Sequence, residues 1–406
     1  MTSKLILFYT MGFILLYLEP IPIAGMTFGI LWKIILIGLL FIPVIYATFQ
    51  KKQIEIFAFI SIVFSFKILI SYSSMDYIMN TLSLFTKELM LPILYLFFIL
   101  KFSKESLLFL AKHFAILIIL SFIPYMFEVL RPLGVGYNLA PFGLDGQFGL
   151  VGPFLNPHSA SISIAFAMII VTSQIKRENP LSANLFYISL LLLAFYELID
   201  TYVRTGITVY LVTLMFYYLQ NINFKKVMLL IFTSLVLVSG SIYLINTNET
   251  AKMRFEDKNK YMKKSDLGSG RFEFWQAAVK NWLNDDFSVI FIGLGEEYAK
   301  DKMLDAVGMR IFAHNQFFQI LQQEGLIGMS LFLGYLFLIN NFLKRNRSSP
   351  YYSTAKAIFL GMLTMMMFQG GFYFNIVFFL GIYLAILKLE YLEKVEEKTT
   401  RSLAWA

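Results

Sequence analysis

Long apolar runs separated by short polar breaks set the pattern of this chain, and many of the runs approach the roughly 20 residues that a bilayer span needs. They occupy residues 5–23, 28–49, 54–70, 78–100, 107–129, 154–174, 182–200, 204–220, 225–245, 315–342, 352–371 and 373–389. This pattern predicts an all-α polytopic membrane protein of about twelve transmembrane helices. The polar breaks alternate in kind. Lys51 and Lys52, Lys101 and Lys104, Lys176 and Arg177, Lys225 and Lys226, and Lys344 with Arg345 and Arg347 fall in every second loop, and the C-terminal tail is basic. The intervening short connections carry Glu19, Asp76, Arg131, Asp145 and Asp200. Because cytoplasmic loops concentrate Lys and Arg, both termini are expected in the cytoplasm. The break between 182–200 and 204–220 is the tightest point of this topology. The first run, after Lys4, lacks a small-residue cleavage site and reads as a retained helix.

Two outward segments exceed a simple turn, 131–153 and 246–312. The second divides the chain into an N-terminal part with helices 1–5 and a loop (1–149), helices 6–9 (150–245), a large loop that would carry the chemistry (246–312), and helices 10–12 with a tail (313–406). Within that loop, Phe272, Trp275, Val279 and Trp282 or Leu283 follow Gly268-Ser269-Gly270 at helical spacing. They predict an amphipathic helix lying on the membrane or on the bundle.

Composition agrees with a bilayer: 58% of residues are apolar and 15% charged, and mean hydropathy is +0.68. The formal net charge of +8 is scattered as loop clusters, which fits membrane orientation better than a nucleic-acid surface. With no cysteine, disulfides, thiolate metal sites and a cysteine nucleophile are excluded. The chain has no GxxxxGK[ST] loop, no GxGxxG after a strand, no HExxH and no GxSxG elbow, so neither an ATP-driven nor a zinc mechanism has support. The adjacent acids Asp285-Asp286 and Glu296-Glu297 could bind a divalent cation, though paired acids in a polar loop are usually just solvated.

What remains is a set of basic residues at the outward starts of helices. Arg204 opens the eighth run, Arg271 opens the loop helix, and Arg310 and His314, one turn apart by spacing, lead into the tenth. A cation is poorly placed at a helix N-terminus unless an anion joins it, and guanidinium forks with free backbone N–H groups suit a diphosphate. The plainer alternative pairs Arg204 with Asp200, Arg271 with Glu273 or Asp266, and Arg310 with Asp305. His314 stands where a sugar hydroxyl could give it a proton, or it is a capping histidine. His158 is expected on the same side and His113 near the cytoplasmic end of its helix. Ionisable residues within runs, Lys33, Lys67, Lys87, Glu88, Glu128 and Glu197, are accounted for by snorkelling and pairing, with Lys87 and Glu88 singled out as inner-cavity candidates.

These residues also carry a resemblance. Tyr202-Val203-Arg204-Thr205-Gly206, Gly268-Ser269-Gly270-Arg271 followed by Trp275, Gly293-Leu294-Gly295, and His314-Asn315 followed by Glu324-Gly325-Leu326-Ile327-Gly328 look like the signature of bacterial O-antigen polymerases and O-antigen ligases, in the same order and loop position. Gly152-Pro153-Phe154-Leu155-Asn156-Pro157 resembles a further segment of that family, so the likeness covers roughly residues 150–330. It implies a GT-C-like fold in the bacterial inner membrane and transfer of a glycan from undecaprenyl diphosphate to an acceptor at the periplasmic face, with no metal or nucleotide cofactor. It implies that Arg204 and Arg271 hold the donor diphosphate, with Arg310 outside the matched motifs. His314 takes the place of the general base, with inversion at the anomeric carbon. Asn315, Glu324, His158 and Trp275 are candidate glycan contacts. The lipid-linked donor and acceptor, the bilayer and a chain-length regulator are the implied partners. Divergence and richness in Ile, Phe, Lys and Asn favour a polymerase over a ligase. A lipid-linked glycan flippase is a further alternative, although no internal repeat of the kind transporters show is visible.

Overall fold

The computed structural model describes residues 21–23, 26–51, 55–70, 78–127, 135–138, 148–154, 156–219 and 271–404, with isolated positions 239, 242, 243 and 247. The expected spans at 5–23 and 225–245, most of 246–270, and Glu128, Arg131, Asp145, Asp266 and Gly268-Ser269-Gly270 lie outside these residues. In chain order the described helices are α1 (Phe28–Lys51), α2 (Ile56–Ile70), α3 (Ile78–Lys101), α4 (Lys104–Leu120), α5 (Ile123–Met126), α6 (Pro157–Thr172), α7 (Leu181–Asp200), α8 (Arg204–Leu219), α9 (Arg271–Leu283), α10 (Phe287–Ile292), α11 (Glu296–Val307), α12 (Gln316–Arg345), α13 (Tyr352–Met366) and α14 (Phe374–Ala404). Two small antiparallel hairpins join them, β1 (Pro22–Ile23) with β2 (Met26–Thr27) and β3 (Val135–Asn138) with β4 (Phe148–Leu150). Among the described residues, five helical segments are long and apolar enough to cross a membrane, Phe28–Gln50, Lys104–Met126, Leu181–Asp200, Gln316–Arg345 and Phe374–Glu397. Outside the two uncovered runs, each expected run contains a helix, and the amphipathic loop helix is α9.

The chain forms two compact units, one of Met1–Gly29, Leu108–Ser265 and Lys356–Thr364, the other of Ile30–Leu107, Asp266–Ala355 and Met365–Ala406. In the first, α6 is the central element, buried on nearly every face and packed on α7 and α8. Its start is encoded locally: Asn156 caps it by accepting from Ser159 N, and Pro157 fills the first turn, where its missing N–H is no loss. Gly206 of α8 lets the helices close, because a Cβ there would stand 2.8 Å from Ser161 Cβ and Leu198 Cδ1. The tight break does occur: α7 ends at Asp200, Tyr202 takes φ 55, and α8 starts at Arg204.

In the second unit α2 packs on α3 and α12, and α3 on α14. Lipid offers apolar side chains no hydrophobic reason to prefer protein neighbours, so close van der Waals and ring packing must hold such helices together. Accordingly Phe57 meets Tyr95 at 4.9 Å and Phe342 at 5.4 Å, Phe64 meets Phe332 at 5.6 Å, and Phe98 meets Phe378 at 5.7 Å, within the range of favourable tilted and edge-on ring pairs. At the far end of α14, Lys388 pairs with Glu55 and Lys104 with Glu393. Along α1, Ile35, Leu39, Ile42, Tyr46 and Phe49 form an exposed apolar stripe suited to acyl chains.

Candidate functional site

The loop helices of the second unit build a small apolar core of their own. Phe274 and Ala278 of α9, Met303 of α11 and Ala313 are buried together, with Trp275, Val307, Ile311 and Phe318 packed around them. This core brings two of the sequence-predicted residues into one electrostatic environment. Arg271 is the first residue of α9, and its guanidinium lies 5.8 Å from the centre of the Phe368 ring. His314 follows Ala313, and its ring stands 6.0 Å from that of Phe274.

The backbone around His314 departs from the expected helical spacing. Gly308, left-handed at φ 73, caps α11. Residues 310–313 then run without helix, His314 takes φ 51, and α12 begins only at Gln316. Arg310 and His314 are therefore not stacked one turn apart on a helix, and Arg310 follows a helix C-terminus instead of opening a helix. Asn315 is committed to the start of α12: its Oδ1 accepts from Phe317 N and Phe318 N, and its Nδ2 donates to Met367 O at 3.2 Å. The positive φ of His314 is where the chain turns from the cap core into this N-cap.

His314 has its imidazole pKa lowered, first by burial, then by the positive charge of Arg271, with a hydrogen bond to Gln369 opposing both. Burial and a like charge both disfavour the protonated ring, so the imidazole is neutral at pH 7 and able to accept a proton. Gln369 was not legible as a site residue. It lies in Met367-Phe368-Gln369, which the hydropathy pattern assigned to a span ending at 371, whereas α13 stops at Met366. Met367 O, the Phe368 ring and Gln369 each reach the site. The polar Gln369 before Gly370-Gly371 was the available signal.

Arg310 is exposed, and Asp301 and Glu297 occupy its guanidinium at 2.7 Å each; Asp305, its expected neutralising partner, does not fill that place. Glu297 also takes Lys300, which pairs with Glu296, and Asp285 takes Lys302. The two acidic pairs thus each engage cationic side chains. Trp275 meets Phe272 edge-on at 5.1 Å and Phe318 at a tilt at 5.8 Å, and among the described residues its buried indole N–H has no hydrogen-bond partner. Arg204, exposed at the head of α8, and His158, in the first turn of α6, belong to the first unit.

Glu324 has a cationic partner already. It is 3% exposed, and its Oε2 lies 3.0 Å from Lys67 Nζ, which also donates to Ile292 O at 2.7 Å. Lys67 therefore turns inward, and snorkelling does not describe it. One residue later α12 breaks at Gly325 (φ 63, ψ −165). The Gly293-Leu294-Gly295 loop docks there, with Leu294 N donating to Gln322 O at 3.0 Å and Gly295 N to Gln323 O at 2.9 Å. Glycine is required on both sides of this contact: a Cβ on Gly293 would sit 2.1 Å from Gln323 O, and one on Gly325 would sit 2.5 Å from Phe291 O.

The stretch that holds Arg204, Arg271, His314, the glycine loop and the broken helix coincides with a comparison finding: residues 189–333 match the protein family described as O-antigen ligase. The chain carries a domain of the O-antigen ligase family. Members of that family are glycosyltransferases that use lipid-linked glycans, and this is a multi-pass membrane protein. The O-antigen ligase domain begins within α7 and ends within α12, so His158, Lys67, Glu88 and Gln369 fall outside it. No curated protein matches the chain.

Proposed function

We propose that this protein is an O-antigen polymerase, joining undecaprenyl-diphosphate-linked oligosaccharides at the periplasmic face of the inner membrane. The observation that carries the reading is a half-buried His314 beside Arg271, its imidazole pKa lowered by burial and by that charge, inside an O-antigen ligase domain. In the transfer step His314 takes the proton of an acceptor hydroxyl as its oxygen forms a bond to the donor's anomeric carbon. The bond from that carbon to the diphosphate breaks, the configuration inverts, and the diphosphate leaves with its charge held by Arg271. A bidentate guanidinium suits adjacent phosphate oxygens. Arg271 has a second effect. Before the donor arrives its charge adds to burial in lowering the proton affinity of His314, and once the diphosphate neutralises that charge the imidazole gains proton affinity at the moment a base is needed. Trp275 Nε1 is a donor for a sugar hydroxyl in this reading. Arg310 is the weaker diphosphate ligand, since Asp301 and Glu297 would have to be displaced.

The second reading, a ligase that transfers finished glycan to lipid A core, is favoured by the description of the matched family. Lipopolysaccharide from a strain lacking the protein separates the two. Loss of a polymerase leaves core plus one repeat and no ladder. Loss of a ligase leaves bare core with long chains accumulating on the lipid carrier. If even the single repeat is lost and units collect on the cytoplasmic face, the protein is a flippase; a normal ladder refutes all three.

A further inference from the structure

We propose that Lys67, together with Glu324, is a positioning residue for glycan transfer, fixing the half-helix that carries His314 at its head. The inference rests on the transferase reading above. Residues 316–324 form a helical segment closed at one end by the Asn315 cap and at the other by the break at Gly325. Nine residues make a rod of about 13 Å, so a shift at the Glu324 end is passed to the His314 end. Three contacts hold the broken end: the amides of Leu294 and Gly295 bond its last carbonyls, and Lys67 bonds both the Glu324 carboxylate and the carbonyl that ends α10. One ammonium thus ties α2, α10 and the half-helix together, at the C-terminal end of α10 where the helix dipole favours a cation. Glu88 of α3 lies within electrostatic reach of Glu324.

Stability alone does not account for this arrangement. A buried ion pair is seldom worth more than a well-packed apolar pair, and α2 is already joined to α12 by the Phe64–Phe332 and Phe57–Phe342 contacts. What the pair adds is direction and register at a point where the backbone leaves helical geometry.

The test uses the purified full-length chain in lipid with a synthetic undecaprenyl-diphosphate oligosaccharide. Two variants are made, K67M/E324M and K67Q/E324Q, because removing one partner alone leaves a buried charge and endangers folding. With positioning lost, the variants accumulate normally, KM for the donor stays within about twofold, and kcat falls roughly 100-fold, as an ångström-scale misplacement can produce. The acid limb of the pH–rate profile also moves upward, towards the ordinary imidazole range, because a loosened half-helix admits water to His314. Wild-type kcat in either variant overturns the proposal. So does a lowered kcat with an unmoved acid limb, which signals only a smaller active fraction. Failure of both variants to accumulate assigns the pair to folding and overturns it too. Absence of transfer by the wild-type chain instead overturns the functional reading, and the positioning role with it.

Discussion

Gly325→Ala tests whether the break in α12 depends on glycine. The backbone at φ 63, ψ −165 is nearly closed to residues with a side chain, and holding alanine there costs about 1–3 kcal/mol. The new methyl would also stand 2.5 Å from Phe291 C and O and 2.7 Å from Gly293 N. All are backbone atoms that no rotamer change can remove, so the glycine loop must lift. Its two bonds to Gln322 O and Gln323 O go with it, at about 1 kcal/mol each. The sum is about 3–5 kcal/mol, enough to raise the open population of this contact by a factor of about 10² or more. Hydrogen exchange reads it directly at the Leu294 and Gly295 amides, which should exchange faster by that factor while amides of α14 are unchanged. Gly334→Ala is the control, since nothing lies within 4 Å of its Cβ. If Gly325→Ala leaves both amides as protected as before, the account of the break is wrong.

Further outcomes follow from the site. His314→Ala should abolish transfer at normal protein levels, and the wild-type rate should rise with pH through an inflection below the ordinary imidazole range, because only the deprotonated ring is a base. Arg271→Gln should move that inflection upward by removing the repelling charge, a shift read from the pH dependence of kcat/KM, which reports the free enzyme. Arg271→Ala should cost roughly 100-fold in transfer, and Arg271→Lys should also be damaging because an ammonium cannot form a bidentate fork. Arg310→Ala should cost less than about fivefold in the same assay, because acidic side chains already occupy that fork. Reporter fusions near residue 260 should read periplasmic and those near Lys176, Lys226 and Arg345 cytoplasmic; a cytoplasmic signal from the loop would remove the basis of the site.

Hydropathy located the helices well because a span is a long, additive signal. The turn at Thr201-Tyr202-Val203 was placed correctly by the same means, with Asp200 and Arg204 interrupting an otherwise continuous apolar stretch. Local chemistry placed α9, since an apolar stripe of Phe and Trp recurs at helical spacing. What escaped were contacts between residues far apart in sequence. Lys67 and Glu324 are separated by 257 positions, and nothing in the neighbourhood of Lys67 distinguishes an inward ammonium from one reaching for a headgroup. Gln369 was hidden because a hydropathy window averages a single amide into the surrounding Met and Phe. The spacing of Arg310 and His314 misled for a different reason: i, i+4 has meaning only on a helix, and Gly308 ends one six positions before His314.

The side chain of Gln369 and the carbonyl of Met367 reach His314 and Asn315 from a segment beyond residue 333, where the matched domain ends. The domain is therefore not a portable cassette. A chimera that grafts residues 189–333 into a relative would import the histidine and its capping asparagine but leave their partners behind, and the recipient's own interhelical segment would have to supply an amide and a carbonyl at matching positions. Grafts extended through Gly371 would carry the complete set. Recombination between relatives should therefore be tolerated better when its junction falls inside α14 than when it falls between α12 and α13.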